Sequence, residues 1–241
     1  MADYETAVPY TVFREAGFEV NFATETGTSP KCDAKMLQGV TQTIFGATQS
    51  VLRQYSAMVA SEEWKHALRW STAGFDLDAF DAVFLPGGQE KTIRQLIDSP
   101  VVHKLLADYF PQTRKPAGKA VGAICYGVKV LAQAKGPDGR SILYGRTTTT
   151  LPALFEKAAF WVTWPFMGDY FKVYGASGED VEASVVKVLS DPACLKSSWA
   201  LAPFVVEDPD FNYASGRHPG DAQLLAERLV DMIRESKYVS P

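Results

Sequence analysis

Val121-Gly122-Ala123-Ile124-Cys125-Tyr126-Gly127-Val128 decides how this chain is read. Small and apolar residues run into one cysteine, a glycine follows two positions later, and a helical pattern then begins (Val128, Val130, Leu131, Ala134). A buried strand that turns sharply into a helix presents the turn side chain at the helix N-terminus. Backbone N–H groups and the helix dipole favour an anion there. A cysteine so placed is expected to have a lowered pKa and to be nucleophilic near neutral pH. A buried cysteine that merely fills a strand–helix corner fits the same spacing.

Upstream of the elbow, Ala79 to Leu85 reads as a buried strand broken by Pro86-Gly87-Gly88, where two glycines allow close backbone approach. Helices are expected around Ile93 and Leu96 and again after Pro100. Further back, residues 8–16 read as a helix with Pro9 in its first turn and Gly17 as its stop. Phe18 to Ala23 alternates as a strand. The chain thus opens on a helix. Residues 31–74 read as an insertion with one or two helices between Ala47 and Arg69, anchored by Trp64, Leu68 and Trp70.

Downstream, Gly136 to Gly139 is a turn cluster. Ile142-Leu143 reads as a short strand, and Gly145 to Thr150 as β-prone and polar. Residues 151–176 are rich in aromatics (Phe155, Phe160, Trp161, Trp164, Phe166, Tyr170, Phe171, Tyr174), which suits a packed subdomain, a dimer face or one wall of a pocket. Gly178 to Leu189 suits a short helix and strand. Phe204 to Ala214 suits two short strands around a turn, and Pro219-Asp221 opens the last helix, striped by Leu224, Leu225, Leu229, Val230 and Ile233. Strands alternating with helices, broken at the strand C-termini, predict an α/β fold with a parallel sheet and helices on both faces. The Gly87-Gly88 turn and Cys125 then share the carboxyl edge, where such sheets bind ligands.

Composition narrows the function. A chain of 241 residues with 46% hydrophobic and 22% charged residues can bury a large core. A net charge of −4 gives no reason to expect nucleic acid or an anionic membrane as partner. The sequence has no apolar run long enough to span a bilayer, and its first residues do not read as a signal peptide. Cys32, Cys125 and Cys194 are too scattered for a disulfide framework, and His66, His103 and His218 are not at ligand spacing, so no metal is expected and the setting reads as cytoplasmic. Cys32, beside Lys31 in a loop, reads as incidental, and Cys194, between Ala193 and Leu195, as packed.

Three stretches together resemble the DJ-1/PfpI superfamily, the class I glutamine-amidotransferase-like fold: Tyr4-Glu5-Thr6 with Phe18-Glu19-Val20, Val83 to Gly88, and Ala123 to Gly127. The aromatic insertion and Phe204 to Asp208 are similar to a fungal branch near the heat-shock-type glyoxalase III proteins. The resemblance implies one flavodoxin-like domain over 1–241, with insertions around 31–74 and 151–180, often dimeric. It makes Cys125 the nucleophile and Glu5 the acid that hydrogen-bonds it. Gly88 and Tyr126 become the N–H donors of an oxyanion hole, and Glu156 the third carboxylate. The implied reaction converts methylglyoxal to lactate with no cofactor, glutathione or metal. Two departures stand out. Many relatives carry histidine after the cysteine, where this chain has Tyr126, whose ordinary acidity does not suit a base at neutral pH. The strand that should precede Glu5 does not appear between Met1 and Glu5, so either a shortened gene product or a central sheet lacking that strand is expected. A redox-responsive or chaperone-like stress protein and a tailoring enzyme of secondary metabolism remain open readings. Glutamine amidotransfer fits less well, because its histidine would have to be His218, which reads as a surface or capping residue.

Overall fold

The computed structural model of the protein describes residues 3–31, 48–88, 91–168, 172–175 and 178–239. Its centre is β4 (Ala120–Ile124), buried at every residue. Such a strand needs apolar side chains on both faces, which Val121, Ala123 and Ile124 supply. It pairs in parallel with β3 (Ala82–Leu85) on one side and β6 (Tyr213–Gly216) on the other, and β5 (Val205–Glu207) closes the sheet antiparallel to β6, giving the order β3-β4-β6-β5. This is a mixed α/β fold with a mostly parallel sheet.

Helices cover both faces. The last helix, α9 (Ala222–Val239), crosses β4 and β6. A Cβ on Gly122 would run into the Leu229 side chain, so the glycine sets how closely this helix lies on the strand. Helix α1 (Asp3–Glu15) packs on α9 and on α2 (Gln49–Ala60). On the other side α6 (Tyr126–Gln133) lies against β3 and β4, backed by α4 (Arg94–Ile97) and α5 (Pro100–Tyr109). Ser99 caps α5 by accepting from the Val102 N–H, and Pro100 sits in its first turn, where its missing N–H costs nothing. No described helix is long and apolar enough to cross a membrane.

Among the described residues no strand precedes α1. Strand β1 (Ala23–Thr24) pairs only with β2 (Leu68–Arg69), in a separate two-stranded parallel sheet. Among the described residues β3 is therefore an edge of the four-stranded sheet, and Ala82, Val83 and Phe84 are half-buried, whereas their partners on β4 are fully enclosed.

Several local expectations change. The helix begins at Asp3, so Pro9 falls in its interior and cannot donate to the Glu5 carbonyl one turn back. The alternation of Phe18 to Ala23 yields only a two-residue strand, because Phe18 to Val20 pair with no described strand. The insertion does carry two helices, α2 and α3 (Glu62–Lys65). Trp64 anchors them: it is buried with Ala7 and Met58 and packs edge-on against Phe22 at 4.9 Å. Ile142-Leu143 is a turn joined to the chain before it by a Lys135–Ser141 bridge. The segment after Gly178 forms helix α8 (Val181–Val186) and no strand. The aromatic stretch forms α7 (Ala153–Met167), of which Phe160 is buried while Trp161 and Trp164 are 68% and 54% exposed. It is thus only partly a packed unit. Cys32, Tyr170 and Phe171 lie outside the described residues.

Candidate active site

Cys125 is the only described residue other than glycine with a positive φ (φ 56°, ψ −123°). That backbone is disfavoured for an L-residue by on the order of 1–3 kcal/mol and persists only where its surroundings hold it. Three hydrogen bonds and one close helix–strand approach do so. Its N–H donates to the Gly216 carbonyl at the end of β6 (3.1 Å), and its carbonyl accepts from the Val128 N–H (3.2 Å). The Thr150 hydroxyl donates to the same carbonyl (3.0 Å). Gly127 lets α6 close on β3, since a Cβ there would strike the carbonyls of Leu85 and Pro86. Thr150 is in turn fixed by its neighbours: the Thr148 hydroxyl bonds the Tyr213 hydroxyl (2.7 Å), and the Thr149 N–H donates to Ser215 (2.9 Å). The cysteine therefore sits where the carboxyl ends of β3, β4 and β6 converge.

Two buried carboxyls flank it. Glu5, in the first turn of α1, is 1% exposed, and its carboxyl faces the Cys125 thiol and the Gly87 N–H. A Cβ on Gly87 would collide with both the carboxyl and the Cys125 side chain, so only glycine fits between them. Burial is the largest influence on Glu5 and pushes its pKa up to about 8, with Asp221 adding to the rise and the thiol and the Gly87 N–H opposing it. Its Oε2 has no hydrogen-bond partner among the described residues.

Glu156, in the first turn of α7, is 2% exposed and fully engaged. Its Oε1 accepts from the Tyr126 hydroxyl (3.0 Å) and from Lys172 Nζ (3.2 Å), and its Oε2 from the Val181 N–H at the start of α8 (3.1 Å). Glu182 returns the favour by accepting from the Ala153 N–H (2.7 Å), which ties the two helix starts together.

The expectation of an acidified thiol is overturned. Burial, at 2% exposure, drives the Cys125 pKa well above its ordinary value, with the Glu5 and Glu156 charges adding to the rise. The Tyr126 N–H opposes them, as a helix start should, and is outweighed. The Glu5 contribution requires an ionised carboxyl, and below about pH 8 Glu5 holds its proton. The two groups form one coupled pair.

The structure thus brings Cys125, Glu5, Tyr126 and Glu156 together. Gly88 is buried beside them with φ 145°, and the Tyr126 N–H faces the sulfur. The Tyr126 hydroxyl is pushed above its ordinary pKa by burial and by Glu156. His218 caps its own turn, as expected: its Nδ1 accepts from the Gly220 N–H (3.1 Å) and its ring packs on Phe155. Cys194 is half-buried near Ser190. Sequence reasoning places Gly87 at this edge as half of a double glycine, and misses Lys172 and Thr150, which leave no signal. Among the described residues no group of three His, Cys, Asp or Glu side chains is placed to hold a metal ion.

A cysteine on a strand–helix elbow, with an acid buried beside it at the carboxyl edge of a parallel sheet, defines a protein of the DJ-1/PfpI superfamily. The chain belongs to the ThiJ/PfpI-like family, whose profile (ThiJ/PfpI family-like) matches residues 2–209. It is 31% identical over 232 residues to an uncharacterised Schizosaccharomyces pombe protein, C14C4.04, covering 95% of this chain and 79% of that one. It is 28% identical over 157 residues to the glutathione-independent glyoxalase hsp3101 of the same yeast, covering 63% of this chain and 59% of that protein. Glyoxalase III from Candida albicans shares the fold, with a TM-score of 0.63 and 20% identity over 95% of this chain and 86% of that one.

Proposed function

We propose that the protein is a glutathione-independent, glyoxalase III-type enzyme acting on small 2-oxoaldehydes, with Cys125 as nucleophile and Glu5 as proton relay. One observation carries this reading: a buried carboxyl, protonated at neutral pH, faces the elbow thiol and keeps one oxygen without a partner. A carboxylic acid so placed can take the thiol proton on one oxygen and release its own from the other. The Cys125 sulfur adds to the aldehyde carbon of methylglyoxal as Glu5 passes a proton to the carbonyl oxygen, giving a hemithioacetal. The N–H groups of Tyr126 and Gly88 are the donors for the oxygen as charge develops on it. Glu5 then takes the C1 hydrogen as a proton on one oxygen and passes its own proton to the C2 oxygen, while the C1–H electron pair forms an enediol. The reverse relay, in which Glu5 gives a proton to C2 and takes the C1 hydroxyl proton, gives the lactoyl thioester. Water cleaves the carbon–sulfur bond, releasing lactate and restoring the thiol. The net change is the addition of one water.

Tyr126 is not the base in this scheme, since its hydroxyl is committed to Glu156 and is less acidic than usual. The same reading makes the chain a single-domain protein that works as a cytoplasmic homodimer, and sedimentation equilibrium reads the oligomeric part of it. The enzyme reading is tested by following methylglyoxal and lactate without glutathione. Turnover by the wild type that is lost in Cys125→Ser and kept in Cys194→Ser is expected. Retained turnover in Cys125→Ser would remove Cys125 from the mechanism.

A further inference from the structure

The mechanism leaves unused a buried charge in direct contact with the site. Lys172 is 7% exposed, and its ammonium lies 3.2 Å from Glu156 Oε1, the oxygen that also accepts the Tyr126 hydroxyl. A lysine is seldom this buried unless paired. Its partner is the carboxylate whose charge opposes ionisation of Cys125. We propose that Lys172 is a positioning residue of the active site: its ion pair with Glu156 holds the Tyr126 ring beside Cys125 and cancels the negative charge that would otherwise face the attacking sulfur.

The surroundings support a specific role. The charged and titratable groups around the elbow come from five places. They are Glu5 on α1, with Asp221 behind it at the start of the last helical segment; Tyr126 and Lys129 on α6; Glu156 on α7; and Lys172. Lys129 is directed elsewhere, with its ammonium 4.3 Å from the centre of the Tyr174 ring. Among the described residues Lys172 is the cation in ion-pair contact with Glu156. Without it, Cys125 would face an uncompensated carboxylate across the Tyr126 ring, in a site where water does not screen the charge.

The inference deepens the proposed function and rests on Cys125 being its nucleophile, yet its test needs no turnover. The thiolate absorbance of Cys125 is titrated in the full chain as the difference between each protein and its Cys125→Ser counterpart. Lys172→Met is expected to raise the Cys125 midpoint by about one pH unit, and Glu156→Gln to lower it by a similar amount, as expected of a neighbouring charge. The double variant Lys172→Met/Glu156→Gln, which removes both charges, is expected within about 0.3 unit of the wild type by the same reasoning. Lys172→Arg is expected to keep the wild-type midpoint. If Lys172→Met fails to fold, Glu156→Gln and the double variant decide alone. An unchanged midpoint in Lys172→Met, or a double variant with the same midpoint as Glu156→Gln, would overturn the proposal, because a purely structural ion pair would alter stability and leave the thiol where it was. A shifted midpoint without methylglyoxal turnover would sustain the charge role and reject only the glyoxalase reading.

Discussion

Glu5 and Glu156 lie on two sides of one cysteine and are almost equally buried, at 1% and 2% exposure, yet they are built for different work. Glu156 has three donors: a phenol, an ammonium and a backbone N–H. Glu5 has the Gly87 N–H, a weakly donating thiol and an oxygen with no partner, and its pKa rises to about 8. Burial alone therefore does not set the behaviour of a buried carboxyl; the donors supplied to it do. The saturated carboxyl can orient Tyr126 but has no capacity left for a reacting proton. The starved carboxyl is costly to the fold and has a proton to give.

Glu5→Gln breaks this contrast most sharply. Loss of the relay is expected to lower kcat/KM for methylglyoxal by about two to four orders of magnitude. The same change should stabilise the protein in alkali. The unfolded carboxyl ionises near its ordinary value of 4.5 and the native one near 8. Between these values the unfolded state binds fewer protons, so wild-type stability falls as pH rises and levels off above about 8. Glutamine removes that slope. Urea unfolding at pH 8 should find Glu5→Gln more stable by about 4 kcal/mol than the wild type, the pH 4.5 difference being subtracted. An unchanged slope would mean that Glu5 ionises normally in the native protein.

Gly87→Ala tests the spacing between Glu5 and Cys125 without touching either group. The added methyl collides with both, and a loss of roughly 1–3 kcal/mol is expected on chemical denaturation, together with most of the activity. On the saturated side, Tyr126→Phe deletes one donor to Glu156 and leaves Lys172 and the Val181 N–H in place. A loss of about 1.5–3 kcal/mol is expected, with activity reduced far less than in Glu5→Gln. A comparable loss of activity in the two variants would erase the distinction between the carboxyls. The smallest effect belongs to Thr150→Val, which removes one hydrogen bond to the strained Cys125 carbonyl and should cost about 1 kcal/mol by the same assay.

The elbow was legible in the sequence because everything that makes it is local: apolar residues, a cysteine, and a glycine two places on. β4 forms over the apolar run that leads into the cysteine for the same reason. Phe18 to Ala23 has an equally regular alternation and became almost no strand, since a strand also needs a partner. The fate of Pro9 followed from where the helix starts, which a packing contact with α9 and α2 decides better than a capping pattern. Within the site, Glu5 was found through family resemblance alone. Lys172 and Thr150 were invisible, because 47 and 25 residues separate them from Cys125 and neither lies in a recognisable pattern. The sign of the thiol shift was read wrongly for a physical reason: the helix start that lowers a thiol pKa is local, and the burial that raises it is a property of the whole fold.

The measurement that bears most directly on this account is the protonation of Glu5 itself. Infrared difference spectra between the wild type and Glu5→Gln, taken from pH 5 to pH 10, isolate the carboxylic C=O stretch of this one group. The account predicts that the band persists at pH 7 and disappears with a midpoint near 8. A band already gone at pH 6 would show an ionised Glu5 and contradict its role as the proton relay beside Cys125.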